Sequence, residues 1–161
     1  MRRIARGARD PAARGNAAAR RTRAAGSHGP VPVKYLLDAN AVIALLRGQA
    51  RFLARLRRHR PEEFTISAIV VHELYYGAYK STRSKESLAR VEGLAFAVLE
   101  FDQEDARAAG ELRSQLARAG TPIGPYDVLI AGQAMARGLI LLTHNQREFQ
   151  RVSGLRIEDW E

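Results

Sequence analysis

Short apolar runs alternating with stretches of helical period constrain this chain more than any other feature. Residues 33–37, 64–66, 96–101 and 139–142 each read as a strand, and residues 155–157 as a short edge strand. The segments between them repeat apolar residues at three- and four-residue spacing. Residues 33–37 lean apolar without strict alternation, the pattern of a strand buried on both faces. Strands that alternate with helices in this way build βαβ units, a parallel sheet and right-handed crossovers.

A chain of 161 residues fits one domain that buries roughly two-thirds of the surface its unfolded form exposes. It has no cysteine, so a disulfide framework and a thiolate metal site are both excluded, and a reducing compartment is allowed. The net charge of +9 is unevenly placed: residues 1–31 hold eight arginines and one acid, whereas residues 32–161 hold 18 basic and 16 acidic residues. The first 31 residues are Arg/Ala/Gly-rich with almost no large apolar side chains, so they are expected to be disordered. A nucleic-acid-binding arm, an Arg-rich transit segment and sequence upstream of a true start near Val33 all compete for them. The preponderance of 23 Arg over 3 Lys reads as the codon bias of a GC-rich genome and weakens the transit reading, and the misplaced start is favoured over a genuine arm. The domain is therefore read as residues 32–161. No apolar run approaches the ~18 residues that a membrane span needs.

Residues at the strand ends and helix starts carry the chemistry. Asp38 follows the first strand, and Asn40 reads as the N-cap of a helix over 41–47 that Gly48 ends. A basic helix over 50–59, with Phe52, Leu53 and Leu56 on one side, stops before Pro61. Ser67 caps a helix running to Lys80, in which Glu73 lies within the apolar stripe of Ile69, Val70, Leu74 and Gly77. A further helix covers 84–93. Asp102 and Asp105 open a helix whose inner face is Ala106, Ala109, Leu112 and Leu116. Pro125 opens a helix to 137 with Asp127 in its first turn, and Asn145 follows the fourth strand. In open α/β sheets ligands bind outside the carboxyl ends of the strands. Asp38, Asp127 and Asn145 belong to that edge, and Glu73 reaches it from the second turn of its helix.

Carboxylates gathered in one crevice raise each other's pKa unless a cation sits among them. Oxygen ligands without Cys or a paired-His motif favour Mg²⁺ or Mn²⁺. Such an ion lowers the pKa of a water and polarises a phosphoryl oxygen, which points to metal-assisted phosphodiester cleavage. Each acid also has a plain explanation: Asp38 as a turn residue, Asp127 as a partner of the helix dipole, Glu73 as half of an ion pair with an arginine. His72 and His144 neighbour the site, as single histidines often do without binding anything. Tyr75, Tyr76 and Tyr79 suit base stacking, but at helical spacing they equally suit core or a subunit interface.

Four segments carry a family resemblance: L-L-D-A-N at 36–40, I-S-A-I-V-V-H-E-L-Y-Y-G at 66–77, G-T-P-I-G-P-Y-D-V-L-I-A at 120–131 and L-L-T-H-N-Q-R-E-F at 141–149. Together they resemble the PIN-domain ribonucleases, specifically the VapC toxins of bacterial type II toxin–antitoxin pairs. The resemblance implies a three-layer α/β/α fold with a parallel sheet of about five strands. It further implies a cytoplasmic, Mg²⁺- or Mn²⁺-dependent endoribonuclease that hydrolyses RNA, forms a homodimer and is restrained by a cognate VapB-like antitoxin. Matched by motif, Asp38, Glu73 and Asp127 are the three metal-binding acids, and Asn145 stands where many relatives have a fourth. Thr143 and Asn40 are matched to the residues that orient them. Ala39 departs from the Thr or Ser usual after the first acid, which removes a hydroxyl beside it, and Tyr126 replaces a smaller polar residue. A non-catalytic PIN-like module that binds RNA or protein is the alternative. A phosphatase or a phospho-acceptor receiver is the third reading: the usual aspartyl phosphatase has an acid where this chain has Asn40, and Asp102 is the weak argument for a receiver.

Overall fold

Burial from end to end makes β1 (Tyr35–Leu37) the spine of the fold. It pairs in parallel with β2 (Phe64–Ser67) on one side and β4 (Ile140–Leu142) on the other, Leu36 lying opposite Thr65 and Leu141. The sheet is completed by β3 (Ala97–Leu99) beside β2 and β5 (Ile157–Glu158) beside β4. Its order is therefore β3-β2-β1-β4-β5, with every pair parallel. The computed structural model describes residues 32–161, so the expected disordered extension falls outside the described residues.

Helices fill every connection, as parallel pairing demands. α1 (Ala39–Leu46) and α2 (Ala50–Leu56) lead from β1 to β2, α3 (Ala68–Lys80) and α4 (Ser84–Glu92) from β2 to β3. α5 (Gln103–Arg118) and α6 (Pro125–Ala136) lead from β3 to β4, and the single turn α7 (Gln146–Phe149) from β4 to β5. This is the expected sheet flanked by helices. The order reverses direction at β1: the chain leaves β1 towards β2 and later returns to its far side as β4. Such a reversal is a topological switch point, the place where loops diverge and leave a crevice at the carboxyl edge.

Several local expectations change for physical reasons. The N-cap of α1 is Asp38, not Asn40: Asp38 keeps extended backbone angles (φ −76°, ψ 163°) and its carboxylate accepts from Ala39 N. Helix α2 ends at Leu56, and His59 instead stacks on Trp160 at 5.2 Å and meets Tyr35 edge-on. A 3₁₀ turn at Pro61–Glu63 follows, where no element was expected. β3 spans only Ala97–Leu99, and its exposed Val98 suits an edge strand. On α5 the inner face carries Asp105 in place of Ala106, which is exposed.

That buried aspartate is fully satisfied. Asp105 accepts from Gln133 Nε2 at 2.9 Å and from Arg137 Nε at 3.0 Å, and from its own capping-box partner, the Asp102 backbone N–H. Burial pushes its pKa up, but these donors outweigh burial and hold it below the ordinary value. α5 and α6 are thereby joined by an ion pair as well as by apolar contact, and they cross closely at Gly132. A Cβ built there would lie 2.5 Å from Ala109 Cα and 2.6 Å from Ala109 Cβ. A glycine-to-alanine change inside a helix ordinarily stabilises it by up to ~1 kcal/mol. Here overpacking reverses the sign: Gly132→Ala is expected to lower stability by about 2 kcal/mol, read as a fall in the urea midpoint at constant m-value.

Candidate active site

Asp38 leaves β1 at the switch point with its side chain buried. Its Oδ1 accepts from Ala39 N at 2.8 Å, and its Oδ2 accepts from Thr143 Oγ1 at 2.8 Å and Asn40 Nδ2 at 3.0 Å. Thr143 follows β4, the sheet neighbour of β1, so strand pairing itself brings donor to acceptor. The hydroxyl oxygen of Thr143 accepts from Asn145 N at 3.0 Å and from Asn40 Nδ2 at 3.3 Å. With its lone pairs so engaged, the Thr143 proton is directed at Asp38. Asn40 closes the arrangement by accepting from His144 N at 3.0 Å. Its position two residues after Asp38 thus serves orientation and not helix capping.

Three carboxyl groups share the crevice electrostatically. Glu73 is half-buried on the second turn of α3, whose start Ser67 caps by accepting from Ile69 N. Burial, then the charges of Asp38 and Asp127, push Glu73 up to about 7. Asp127, in the first turn of α6, is pushed up to about 6 by burial and by the charges of Asp38 and Glu148. Burial also raises Asp38, against the pull of its three hydrogen bonds. Among the described residues none of the three has a Lys, Arg or His partner within 4.0 Å. The ion-pair explanation of Glu73 therefore has no arginine to support it.

This donor set suits a hard divalent ion: it is all oxygen, anionic and without a competing cation. Gly124 adds space, since a Cβ there would stand 2.8 Å from Asp127 Oδ2. Among the described residues no three acids or histidines are drawn into a closed ion cage. Mg²⁺ held by few carboxylates keeps several waters.

Asn145 lies beside these groups, half-buried, and its side chain makes no hydrogen bond among the described residues, leaving the amide available. Glu148 and Gly124 escaped sequence reasoning. Glu148 is the further acid felt by Asp127; it sits on α7 next to the buried Phe149 that anchors the turn. Arg151 stands 3.6 Å from Glu148 and donates to Pro122 O at 2.8 Å, tying α7 to the loop before α6. The signal was the acid preceding an apolar anchor in R-E-F. Gly124 was hidden because its role depends on where the Asp127 carboxylate turns. Ala39 lacks a hydroxyl, yet Asp38 already has three donors without one. Tyr126 is exposed and its ring lies 5.3 Å from that of His72, beside the acids. Tyr76 and Tyr79 are exposed, which excludes the core reading for them, and Tyr79 stacks on Tyr75. A groove of about 310 Å³ between α1, α3 and α4 opens beside Glu73, with Ile43, Leu46 and Val91 in its lining together with Arg47 and Arg90.

Residues 35–155 match the PIN domain family. The tRNA(fMet)-specific endonuclease VapC of Salmonella typhimurium is 42% identical over 130 residues, covering 80% of this chain and 98% of that protein. Ribonuclease VapC2 of Haemophilus influenzae is 35% identical over the same shares. Among solved structures, the DNA-bound VapBC of Salmonella typhimurium superposes with a TM-score of 0.76 at 42% identity, covering 81% of this chain and all of that one. VapBC2 of Rickettsia felis bound to a promoter DNA fragment gives 0.73 at 30% identity, covering 79% and 98%. The chain belongs to the PIN-domain family, among its VapC members.

Proposed function

We propose that this chain is a divalent-metal-dependent endoribonuclease, the toxin of a type II toxin–antitoxin pair, acting on RNA phosphodiesters at the crevice of Asp38, Glu73 and Asp127. The observation that carries the reading is three carboxyl groups, all pushed above their ordinary pKa, with no Lys, Arg or His partner within 4.0 Å among the described residues. Mg²⁺ or Mn²⁺ is the ion proposed, held by these three residues. Such an ion supplies Lewis acidity towards a phosphoryl oxygen and makes a water a stronger nucleophile at neutral pH.

The protein's own contribution is placement. Thr143 and Asn40 fix the Asp38 carboxylate in one orientation, so no reorganisation is needed when substrate arrives. The Asn145 amide is the candidate to position a water or the ion through its oxygen. Glu148 adds negative charge near Asp127, offset in part by Arg151 at 3.6 Å. The apolar groove beside Glu73 suits a helix of a VapB-like antitoxin, from which an Arg or Lys reaching the acids would displace the metal. A homodimer in the cytoplasm completes the proposal. Co-purification with the product of the neighbouring gene tests the antitoxin.

Asp38→Asn is expected to lower cleavage of total RNA by roughly a hundredfold or more, with Glu73→Gln and Asp127→Asn behaving alike and Asn145→Ala losing less. Undiminished metal-dependent cleavage by Asp38→Asn would refute the assignment. RNA binding without cleavage across Mg²⁺ and Mn²⁺ would point to the non-catalytic module instead.

A second prediction concerns pH. A carboxyl whose folded pKa is raised binds protons more tightly in the folded state, so its contribution to stability falls as pH rises from its unfolded value near 4 to its folded value. For Asp127 and Glu73 that window closes at about 6 and about 7. The melting temperature in EDTA should therefore fall between pH 5 and pH 7.5, and Mg²⁺ should raise it more at pH 7.5 than at pH 5. In Glu73→Gln/Asp127→Asn both trends should flatten; calorimetry with paired buffers measures them.

A further inference from the structure

Residues 47–60 contain six arginines and no acid, and all six are exposed. The rest of residues 32–161 carries 12 basic against 16 acidic residues, so this segment alone turns the balance positive. Arg51 and Arg55 lie one turn apart on α2, and Arg58 follows in the next turn on the same side. The three line one shallow cleft with Trp160 and the chain's last acids, Asp159 and Glu161. Those acids are engaged elsewhere: Asp159 accepts from Gln146 Nε2 at 2.9 Å and faces His144 Nδ1 at 3.0 Å, and Glu161 accepts from Gln49 Nε2 at 3.1 Å. Among the described residues none of the three arginines has a carboxylate within 4.0 Å.

A relay of hydrogen bonds links the cleft's residues to Asp38. Arg55 Nη1 donates to Asp159 O at 2.9 Å, Asp159 meets the largely exposed His144, His144 N donates to Asn40, and Asn40 donates to Asp38. The opposite side of α2 is spent on the core, with Phe52 buried and Leu53 and Leu56 half-buried. Its outer face therefore offers guanidinium groups without an apolar stripe, which suits a phosphate backbone and not a lipid surface or a docking helix.

We infer that Arg51 and Arg55 on the outer face of α2, with Arg58 in the turn that follows it, form the track along which the RNA phosphate backbone reaches the acidic crevice by way of His144. This rests on the ribonuclease reading for its substrate, but the contacts are to phosphates and do not require cleavage. A track of this kind supplies affinity and orientation and leaves the chemical step to the acids.

The test uses the full chain, so that residues 1–31 contribute equally to every sample. Arg51→Gln/Arg55→Gln/Arg58→Gln is compared with wild type and with Arg107→Gln/Arg113→Gln/Arg118→Gln on α5, an equal charge change elsewhere. Binding of labelled total tRNA is measured in EDTA by anisotropy across a salt series, and cleavage is measured with Mg²⁺. The α2 variant is expected to bind roughly tenfold more weakly, with a salt slope smaller by about 2, as loss of three phosphate contacts requires. Its KM should rise while kcat is kept, and the α5 variant should match wild type in all respects. Unchanged binding and slope in the α2 variant, or equal losses in both variants, would overturn the track. Wild type that binds tRNA yet never cleaves would instead refute the ribonuclease reading and leave the binding comparison valid.

Discussion

Burial of Asp38, Glu73 and Asp127 at one sheet edge, with charge repulsion added at Glu73 and Asp127, is the constraint on which the crevice depends. Half-buried or buried acids at this density oppose folding, and each is pushed towards its neutral form. The sheet is what forces them together: β1 delivers Asp38 to the switch point, and the helices that follow β2 and precede β4 deliver Glu73 and Asp127. The surrounding core is apolar and continuous enough to carry that cost.

The same chain shows how a buried acid is treated when its role is structural. Asp105 is more deeply buried than Glu73 or Asp127, yet its pKa falls, because Arg137, Gln133 and the Asp102 backbone supply donors. Arg137 is raised in turn by Asp105 and Asp102. Among the described residues no Lys, Arg or His lies within 4.0 Å of the crevice acids, and only Asp38 receives side-chain donors, from Thr143 and Asn40. The difference separates an ion pair that joins two helices from a group of acids with no cationic partner within 4.0 Å among the described residues.

Much of this was legible in the sequence because period and punctuation agree with the fold. Ser67, Asp102 and Pro125 mark helix starts that the structure keeps, and the apolar runs mark all five strands to within a few residues. The acids were legible as positions, since a strand end and two early helical turns put them at one edge. What escaped depends on contacts between distant residues. Asp105 displaced Ala106 from the inner face only because Arg137 and Gln133 lie across from it. Gly124 matters only through the Asp127 carboxylate, and Gly132 only through Ala109. Glu148 enters through α7, whose placement follows from Phe149 in the core. His59 left its helix for an aromatic cluster with Tyr35, Phe64 and Trp160 that joins residues some hundred positions apart.

Asn40 shows the same limit within the first motif. As an isolated residue at a helix start it suits capping, but Asp38 takes the cap because its backbone is still extended where α1 begins. Asn40 is then free to use both ends of its amide, donating to Asp38 and Thr143 and accepting from His144 N. One side chain thereby couples the ends of β1 and β4. The hydroxyl missing at Ala39 is consequently not missed by Asp38, whose two oxygens already have three donors. The orientation of the first acid rests on strand pairing, through Thr143, more than on the residue beside it in the chain.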